Sequence, residues 1–504
     1  MLTKHLITLP IIIPMLAALL QLLPWGERAQ HYRRIIGIVA SSLTLVVAIM
    51  LVITVHTEIV VYALGSWQAP FGIVLVADKL SALMVLLTAV LALPVLIYAC
   101  HGEDNLGSHF QALFQFQVLG IMGAFLTGDL FNLFVFFEIL LISSYALLMH
   151  GGGKAKLRAT LHYVVLNLTG SALFLISLGV LYGITGTLNM ADMAGKVALL
   201  QGDDAAIARA GGMILFIVFA LKSALLPLYF WLPQAYANTT GTVAALFAIM
   251  TKVGIYAIVR VFTLIFGADA GEVAFLGYGW LWWLGLLTIL IGALGVLGSR
   301  DIRQVVAYLV LVSVGTMLTT LSLGHNDAIS ALLFYLVHST LVTGALFLLV
   351  DMIAEQRGKT ASRIVKGRKM AQHQLLGGLF FLAAITVIGI PPLSGFISKL
   401  FILEAARTGA QVAWLWPLIL GATFLMMIAL SRAGSRMFWH TLEGKPNDVS
   451  HPYWQHMAVV LLLLGAVALT VFAQTFSGFT SAIAEQLANP QGYISHVLDG
   501  GQHE

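Results

Sequence analysis

Apolar runs long enough to cross a bilayer recur along this chain from end to end, and that leaves few folds open to it. A helix needs about 20 mostly apolar residues to span the hydrocarbon layer. Inside that layer every backbone polar group must be satisfied within the protein, which favours helices. The chain is 60% hydrophobic and 10% charged, against roughly 25% charged for soluble domains, so the expected fold is an all-α polytopic membrane protein. Fourteen spans are expected, near 6–24, 35–56, 76–99, 111–127, 130–149, 161–184, 211–233, 241–265, 276–298, 303–323, 328–351, 376–402, 412–434 and 455–475. The first run is followed by Pro24-Trp-Gly-Glu-Arg28 and not by a small-residue cleavage site, so it reads as a retained span. Loops are short. The longest charged ones, 352–375 and 435–454, cannot hold a soluble domain, and the tail after 476 is polar without a further convincing span. The single cysteine, Cys100, excludes an internal disulfide and a cysteine-ligated cluster. The formal charge of +4 is spread over loops, with no basic cluster suited to nucleic acid.

Cation placement gives an orientation. Arg28, Arg33 and Arg34 lie in loop 1–2, Lys154, Lys156 and Arg158 in loop 5–6, and Arg300 and Arg303 flank loop 9–10. Loop 11–12 holds Arg357, Lys359, Arg363, Lys366, Arg368 and Lys369, and loop 13–14 holds Arg432, Arg436 and Lys445. The alternate loops hold only Lys79, Lys196, Arg209 and Arg407, beside acids such as Glu58, Asp129, Asp269, Glu272 and Asp327. By the positive-inside rule the odd-numbered loops are cytoplasmic and both termini face outside.

Two spans carry helix breakers together with a lysine. Span 7 contains Phe219-Ala-Leu-Lys-Ser-Ala-Leu-Leu-Pro-Leu-Tyr-Phe-Trp-Leu-Pro233. Pro227 has no N–H, so the carbonyl of Ser223 is expected to lose its helical partner beside Lys222. A lysine in hydrocarbon costs about 2.5–3.5 kcal/mol on insertion scales; the plainer alternative is a kink with the lysine snorkelling to the surface. Span 12 repeats the pattern with Gly389-Ile-Pro391-Pro392-Leu-Ser-Gly395 followed by Lys399. Spans 7 and 12 are five apart, and an odd offset inverts topology. Spans 4–8 and 9–13 are therefore expected to be inverted repeats with broken helices 7 and 12, as in secondary transporters. The organisation follows: helices 1–3 over 1–110, a first repeat over 111–265, a second over 276–434, and the last helix with its polar tail over 435–504.

Further charges lie inside spans. Asp129 and Asn132 suit the N-terminal end of span 5 as caps, but Glu138 is about two turns further in. Lys252 sits within span 8 and His338 within span 11. Lys399 is nearer a span end, where snorkelling competes, and His338 could instead be a neutral side chain in a helix–helix hydrogen bond. His162 and Arg260 read as interfacial or structural groups. The tryptophans at 231, 280, 282, 283, 414, 416 and 439 read as interface anchors.

One carboxylate among cations is a poor metal site, His338-Ser339 makes no hydrolytic triad, and haem ligation by His162 and His338 has no further support. No metal or cofactor is expected. A buried glutamate–lysine pair acts as a switch, because moving or protonating one partner changes the proton affinity of the other. Further lysines and a histidine at membrane depth extend such a pair into a lateral relay, so the residues point to proton transport.

The stretch Thr127-Gly-Asp-Leu-Phe-Asn-Leu-Phe-Val-Phe-Phe-Glu138, continuing through Ser144-Tyr-Ala-Leu-Leu148, and the stretch from Phe219 to Pro233 resemble the antiporter-like subunits shared by respiratory complex I and Mrp-type antiporters. Within that family the chain looks most like the D-type subunits of bacterial Mrp (Pha-type) cation/proton antiporters. The resemblance covers essentially all fourteen spans. It implies inverted five-helix repeats, a proton-translocating role using Glu138, Lys222, Lys252, His338 and Lys399, helix breaks at Pro227, Pro391 and Pro392, and no redox centre. It also implies other antiporter subunits as partners, Na⁺ or K⁺ as the exchanged ion, and a bacterial plasma membrane. The complex I subunit that the chain most resembles typically carries glutamate in helix 12, where Lys399 stands here. The alternative is a proton-pumping subunit of a respiratory or membrane-bound hydrogenase complex.

The orientation is testable in a Cys100→Ala background. Cysteines placed at Lys156 and Lys366 are expected to resist an impermeant thiol reagent added to intact cells. Labelling of both from outside would reverse the topology.

Overall fold

The chain is described in a computed structural model over residues 5–26, 29–107, 109–408, 410–442 and 449–499. Arg28 and Lys445, two of the loop cations that set the orientation, lie outside the described residues. Among the described residues, eleven helical stretches are long and apolar enough to cross a membrane, and the shorter apolar helices Leu9–Leu22, Phe110–Leu126 and His373–Ile388 accompany them. Together they fall on the fourteen expected segments.

The first half of the chain runs α1 (Leu9–Leu22), α2 (Ala29–Val55), β1 (Val60–Ala63), β2 (Val74–Ala77), α3 (Lys79–Ala99), α4 (Phe110–Leu126), α5 (Leu130–Leu148), α6 (Lys154–Thr185), α7 (Met190–Val197) and α8 (Gly202–Ser223). It continues with α9 (Trp231–Asn238), α10 (Gly241–Phe247), α11 (Met250–Leu264), α12 (Tyr278–Gly298), α13 (Ile302–Leu321) and α14 (Asn326–Gln356). The remainder is α15 (His373–Ile388), α16 (Ser394–Ala405), α17 (Ala410–Gly434), α18 (Tyr453–Val471), α19 (Ala473–Ala488) and α20 (Pro490–Asp499). Span 7 is thus α8 plus α9, and span 12 is α15 plus α16.

Three features go beyond the sequence expectation. β1 and β2 form an antiparallel pair with Val60 opposite Ala77 and Ala63 opposite Val74, so the connection between spans 2 and 3 is not a plain loop. Span 8 is interrupted as well, at 248–249 between α10 and α11, without a proline to announce it. The polar tail folds into α19 and α20, which bury Thr480, Ile483, Leu487 and Tyr493 against the bundle.

α14 is the axis of the molecule. Its apolar window is entirely buried, and it packs against α10, α13, α15, α16, α18 and α19. α2, α6, α12 and α17 stand outside it with much of their apolar surface uncovered. Such faces are stable only against lipid or another apolar surface.

Helix starts follow local chemistry. Asp129 caps α5 by accepting from the Asn132 N–H at 2.9 Å, as expected. Asp78 caps α3 in a reciprocal box with Ser81, and it also accepts from Arg260 Nη2 through both oxygens at 2.6 Å. The Arg260 guanidinium lies 5.0 Å from the Tyr493 ring centre and 5.7 Å from that of Tyr256. This buried pair ties α11 to α3 and to the C-terminal α20, so Arg260 has the structural role expected of it.

Removing one partner of such a pair strands the other in a low-dielectric site, typically at about 3–5 kcal/mol. Arg260→Met is therefore expected to lower both the unfolding temperature and the yield of assembled protein. An unchanged unfolding temperature in detergent would show that the pair is dispensable.

Candidate functional site

The break in span 7 is wider than one lost hydrogen bond. α8 ends at Ser223, Ala224 adopts the left-handed conformation (φ 61°), and α9 begins only at Trp231. Side chains bond backbone groups before and within the break. Trp231 Nε1 donates to the Leu221 carbonyl at 3.1 Å, and Thr288 Oγ1 accepts from the Leu226 N–H at 3.0 Å. Trp231 is buried inside the bundle with its ring 5.1 Å from that of Tyr163, which corrects its reading as an interface anchor. Trp280, Trp283, Trp414 and Trp439 are exposed, as anchors would be.

Lys222, at the end of α8, does not turn to a freed carbonyl. Its Nζ donates to Asn167 Oδ1 on α6 at 3.1 Å and lies 5.8 Å from the centre of the Phe137 ring. Four residues beyond Asn167 on α6, the Ser171 hydroxyl donates to Glu138 Oε1. Among the described residues no ion pair joins Glu138 to Lys222. α6 packs against both α5 and α8, and its i, i+4 pair Asn167 and Ser171 stands between carboxylate and ammonium. The expected contact pair is thus a bridged one. Lys222 is buried, whereas Glu138 is half-buried on a face of α5 whose neighbour Ile142 is 64% exposed.

Lys252 lies just past the interruption of span 8, fully buried, and its Nζ has no hydrogen-bond partner among the described residues. It is brought close to the end of α8 by Gly254. A Cβ at that position would stand 2.6 Å from the backbone nitrogen of Ser223 and 2.9 Å from the carbonyl carbon of Lys222. Only glycine lets the two backbones approach so closely.

The break in span 12 holds the other two candidates. α15 ends at Gly389 in the left-handed region (φ 84°), Pro391 and Pro392 follow, and α16 restarts at Ser394. Lys399 Nζ donates to the Ile388 carbonyl at 2.8 Å and to Thr423 Oγ1 at 2.7 Å. The lysine therefore points back to the break instead of snorkelling outward. His338 Nδ1 is 2.9 Å from Ser394 Oγ, at the first turn of α16. The structure brings the five side chains into two groups: Glu138, Lys222 and Lys252 around α6 and the first break, and His338 and Lys399 at the second. No hydrogen bond or ion pair among the described residues joins the two groups.

The chain from 127 to 428 matches the family model described as NADH:quinone oxidoreductase/Mrp antiporter, TM, and that segment contains all five side chains. The chain belongs to this antiporter-like membrane subunit family. It is 41% identical to a probable K⁺/H⁺ antiporter D-type subunit of Rhizobium meliloti, over 98% of this chain and 97% of that one. It is 38% identical to a Na⁺/H⁺ antiporter D-type subunit of Bacillus subtilis, over 98% and 99%. Among solved structures, a chain of the Mrp complex from Dietzia sp. superposes with a TM-score of 0.87 at 26% identity, covering 99% of this chain and 100% of that one. A chain of respiratory complex I from Thermus thermophilus superposes with a TM-score of 0.79 at 25% identity, covering 97% and 99%.

Within this family member, sequence reasoning missed Asn167, Ser171, Ser394 and Thr423, the neutral groups that hold the charged ones. One signal was available. Tyr163, Asn167 and Ser171 recur every four residues, a polar stripe down one face of an otherwise apolar span. Asn167→Leu is expected to leave the protein folded and assembled while cutting proton-coupled exchange by roughly tenfold, since a hydrogen bond to a charged group contributes about 1.5–3 kcal/mol. Exchange at the unmodified rate in inverted vesicles would remove Asn167 from the path.

Proposed function

We propose that this chain is the D-type, proton-translocating subunit of a multisubunit Na⁺/H⁺ or K⁺/H⁺ antiporter. In this reading it is a transporter subunit and not an enzyme. The observation that carries the reading is the placement of Lys222, Lys252 and Lys399. All three are buried at membrane depth beside helix interruptions and are held by neutral groups or by none. Intramembrane ionisable residues of this kind mark ion pathways. An ammonium held by a neutral amide or hydroxyl keeps its bond to that acceptor when it gives up one proton, so it can act as a carrier without rearrangement of the fold. Glu138, bridged to Lys222 through α6, sets the charge against which Lys222 loads and unloads. His338 and Lys399 form the second station.

The names of the relatives support the exchanged ions, K⁺ in one and Na⁺ in the other. A respiratory-complex role is the second reading, favoured by the likeness to the complex I chain and by the oxidoreductase half of the family description; the full-length D-type relatives at 41% and 38% identity favour the antiporter. We further infer a bacterial plasma membrane, cytoplasmic odd-numbered loops, termini outside, and inverted repeats over 111–265 and 276–434. In this arrangement the breaks in spans 7 and 12 are symmetry mates. The remaining subunits of the complex are the partners, and they have an apolar surface to cover beside Glu138.

Glu138→Gln and Lys222→Met are each expected to abolish cation-driven proton movement while the complex still assembles. The double variant should be little worse than either single one, since residues acting as a unit are non-additive. Glu138→Asp should keep partial activity. The measurement is cation-driven pH change in inverted vesicles, normalised to assembled complex, and near-normal exchange in Glu138→Gln would remove that carboxylate from the mechanism.

A further inference from the structure

The odd-numbered connections converge on a second buried charge cluster that the relay above does not use. Glu103 stands in the short turn between α3 and α4, only 7% exposed. Its Oε2 accepts from the Thr242 N–H at 3.2 Å, in the first turn of α10. Its Oε1 has no donor among the described residues, and the Glu103 carboxyl neighbours that of Asp351, 4% exposed near the end of α14. The approach of Asp351 depends on Gly241, where a Cβ would stand 2.7 Å from Asp351 Cγ. Two carboxylates meeting in this way cannot both stay ionised at low cost; one keeps a proton.

The surroundings decide which one. Arg303 on α13 forms an ion pair with Asp351. Glu103 has no cation in contact among the described residues. His150 Nε2 bonds the Glu103 backbone carbonyl at 2.8 Å, and Lys156 is committed to the His150 carbonyl at 2.6 Å. Tyr98, at the end of α3, lies within electrostatic range of both carboxyls, and its buried hydroxyl has no partner among the described residues. Glu355, one turn beyond Asp351, adds further negative charge and pairs with His451 at 3.7 Å. Burial first, and the Asp351 carboxyl second, hold the Glu103 carboxyl well above the usual carboxylate range.

We propose that Glu103 and Asp351 form a proton-holding carboxyl pair that exchanges protons between the aqueous phase at the odd-numbered loops and the buried lysines. The role in transport rests on the antiporter reading; the shared proton does not. Two observations connect the pair to the relay. Thr242, which donates to Glu103, begins the half-helix α10 that leads directly to the interruption before Lys252. Buried polar atoms without partners among the described residues lie on the elements between: Thr242 Oγ1, Thr251 Oγ1, Gln117 Oε1 and Lys252 Nζ. Polar atoms of this kind are the sites where internal water makes its hydrogen bonds, and water carries protons between titratable groups.

The test uses the assembled complex, read by infrared difference spectroscopy and by exchange in inverted vesicles. The wild type is expected to show the C=O stretch of a protonated carboxyl at neutral pH, and Glu103→Gln to lack it. Glu103→Gln keeps an acceptor for the Thr242 N–H, so the complex should assemble while exchange falls by roughly 10²-fold, the lower range for a positioned proton-transfer group. Should that variant not assemble, Asp351→Asn decides instead: removing the adjacent negative charge should shift the loss of the same band to lower pH. Identical spectra for wild type and Glu103→Gln, or an Asp351→Asn band that does not shift, overturn the shared proton. Wild-type exchange rates in Glu103→Gln overturn its role in transport and leave the Glu138–Lys222 relay standing. A wild-type complex without exchange refutes the antiporter reading, and the infrared comparison still decides the carboxyl pair.

Discussion

A bilayer interior offers no water to replace a lost backbone hydrogen bond, and everything at the centre of this molecule depends on that constraint. Each interruption of a spanning helix must be repaired by side chains from elsewhere in the bundle. Here the repairs are specific. The Leu226 N–H is taken by Thr288 and the Ile388 carbonyl by Lys399, while Trp231 adds a second donor to the Leu221 carbonyl, which also accepts from the Ala224 N–H. A break stabilised this way is a polar place in an apolar layer, and a polar place is where an ammonium group can be kept. At Lys399 the break itself supplies part of the solvation that water would otherwise give, through the Ile388 carbonyl, whereas Lys222 beside the other break is held by the Asn167 side chain.

The same logic explains why neutral residues do the holding. An ammonium paired directly with a carboxylate in a low-dielectric site is bound tightly by its charge and gives up a proton reluctantly. Placing Asn167 and Ser171 between Lys222 and Glu138 keeps the two charges within each other's field without locking them together. The structural pairs in this protein are built the other way. Arg260 with Asp78, and Arg34 with Asp104, are direct two-point contacts that fasten elements together. Direct contact fastens those elements, whereas Glu138 and Lys222 are each held by a neutral side chain of α6. Glu103 fits neither group, because its nearest charged neighbour has its own sign.

Much of this was legible in the sequence because burying a charge in hydrocarbon is so costly that its mere presence is informative. Glu138, Lys222, Lys252, His338 and Lys399 could each be named from their surroundings in the chain alone. The prolines at 227, 391 and 392 announced two breaks. The interruption before Lys252 was not announced, since no residue at 248–249 forbids a helix; at that point the Phe247 carbonyl accepts from the Tyr236 hydroxyl of α9. Trp231 looked like an interface anchor because aromatic residues near polar ones usually are; its indole is instead buried and donates to the Leu221 carbonyl near the end of α8. The tail is polar on average and reads in sequence only as lacking a further span; that it packs as helices depends on the few apolar residues of α19 and α20 buried against the bundle.

What the sequence by itself determined is the membrane-spanning all-helical class, the span positions and the charged residues that lie at depth. Apolar run length, helix breakers and the cost of buried charge are local properties, readable one segment at a time. What only the tertiary structure decided is which groups face each other. Glu138 meets Lys222 through α6 and not directly, Lys399 turns inward to the break and not out to the surface, and Glu103 meets Asp351 across almost half the chain. Those distances depend on how helices pack side by side, and packing is set by the shape of many side chains at once, with glycines such as Gly241 and Gly254 fixing the closest approaches.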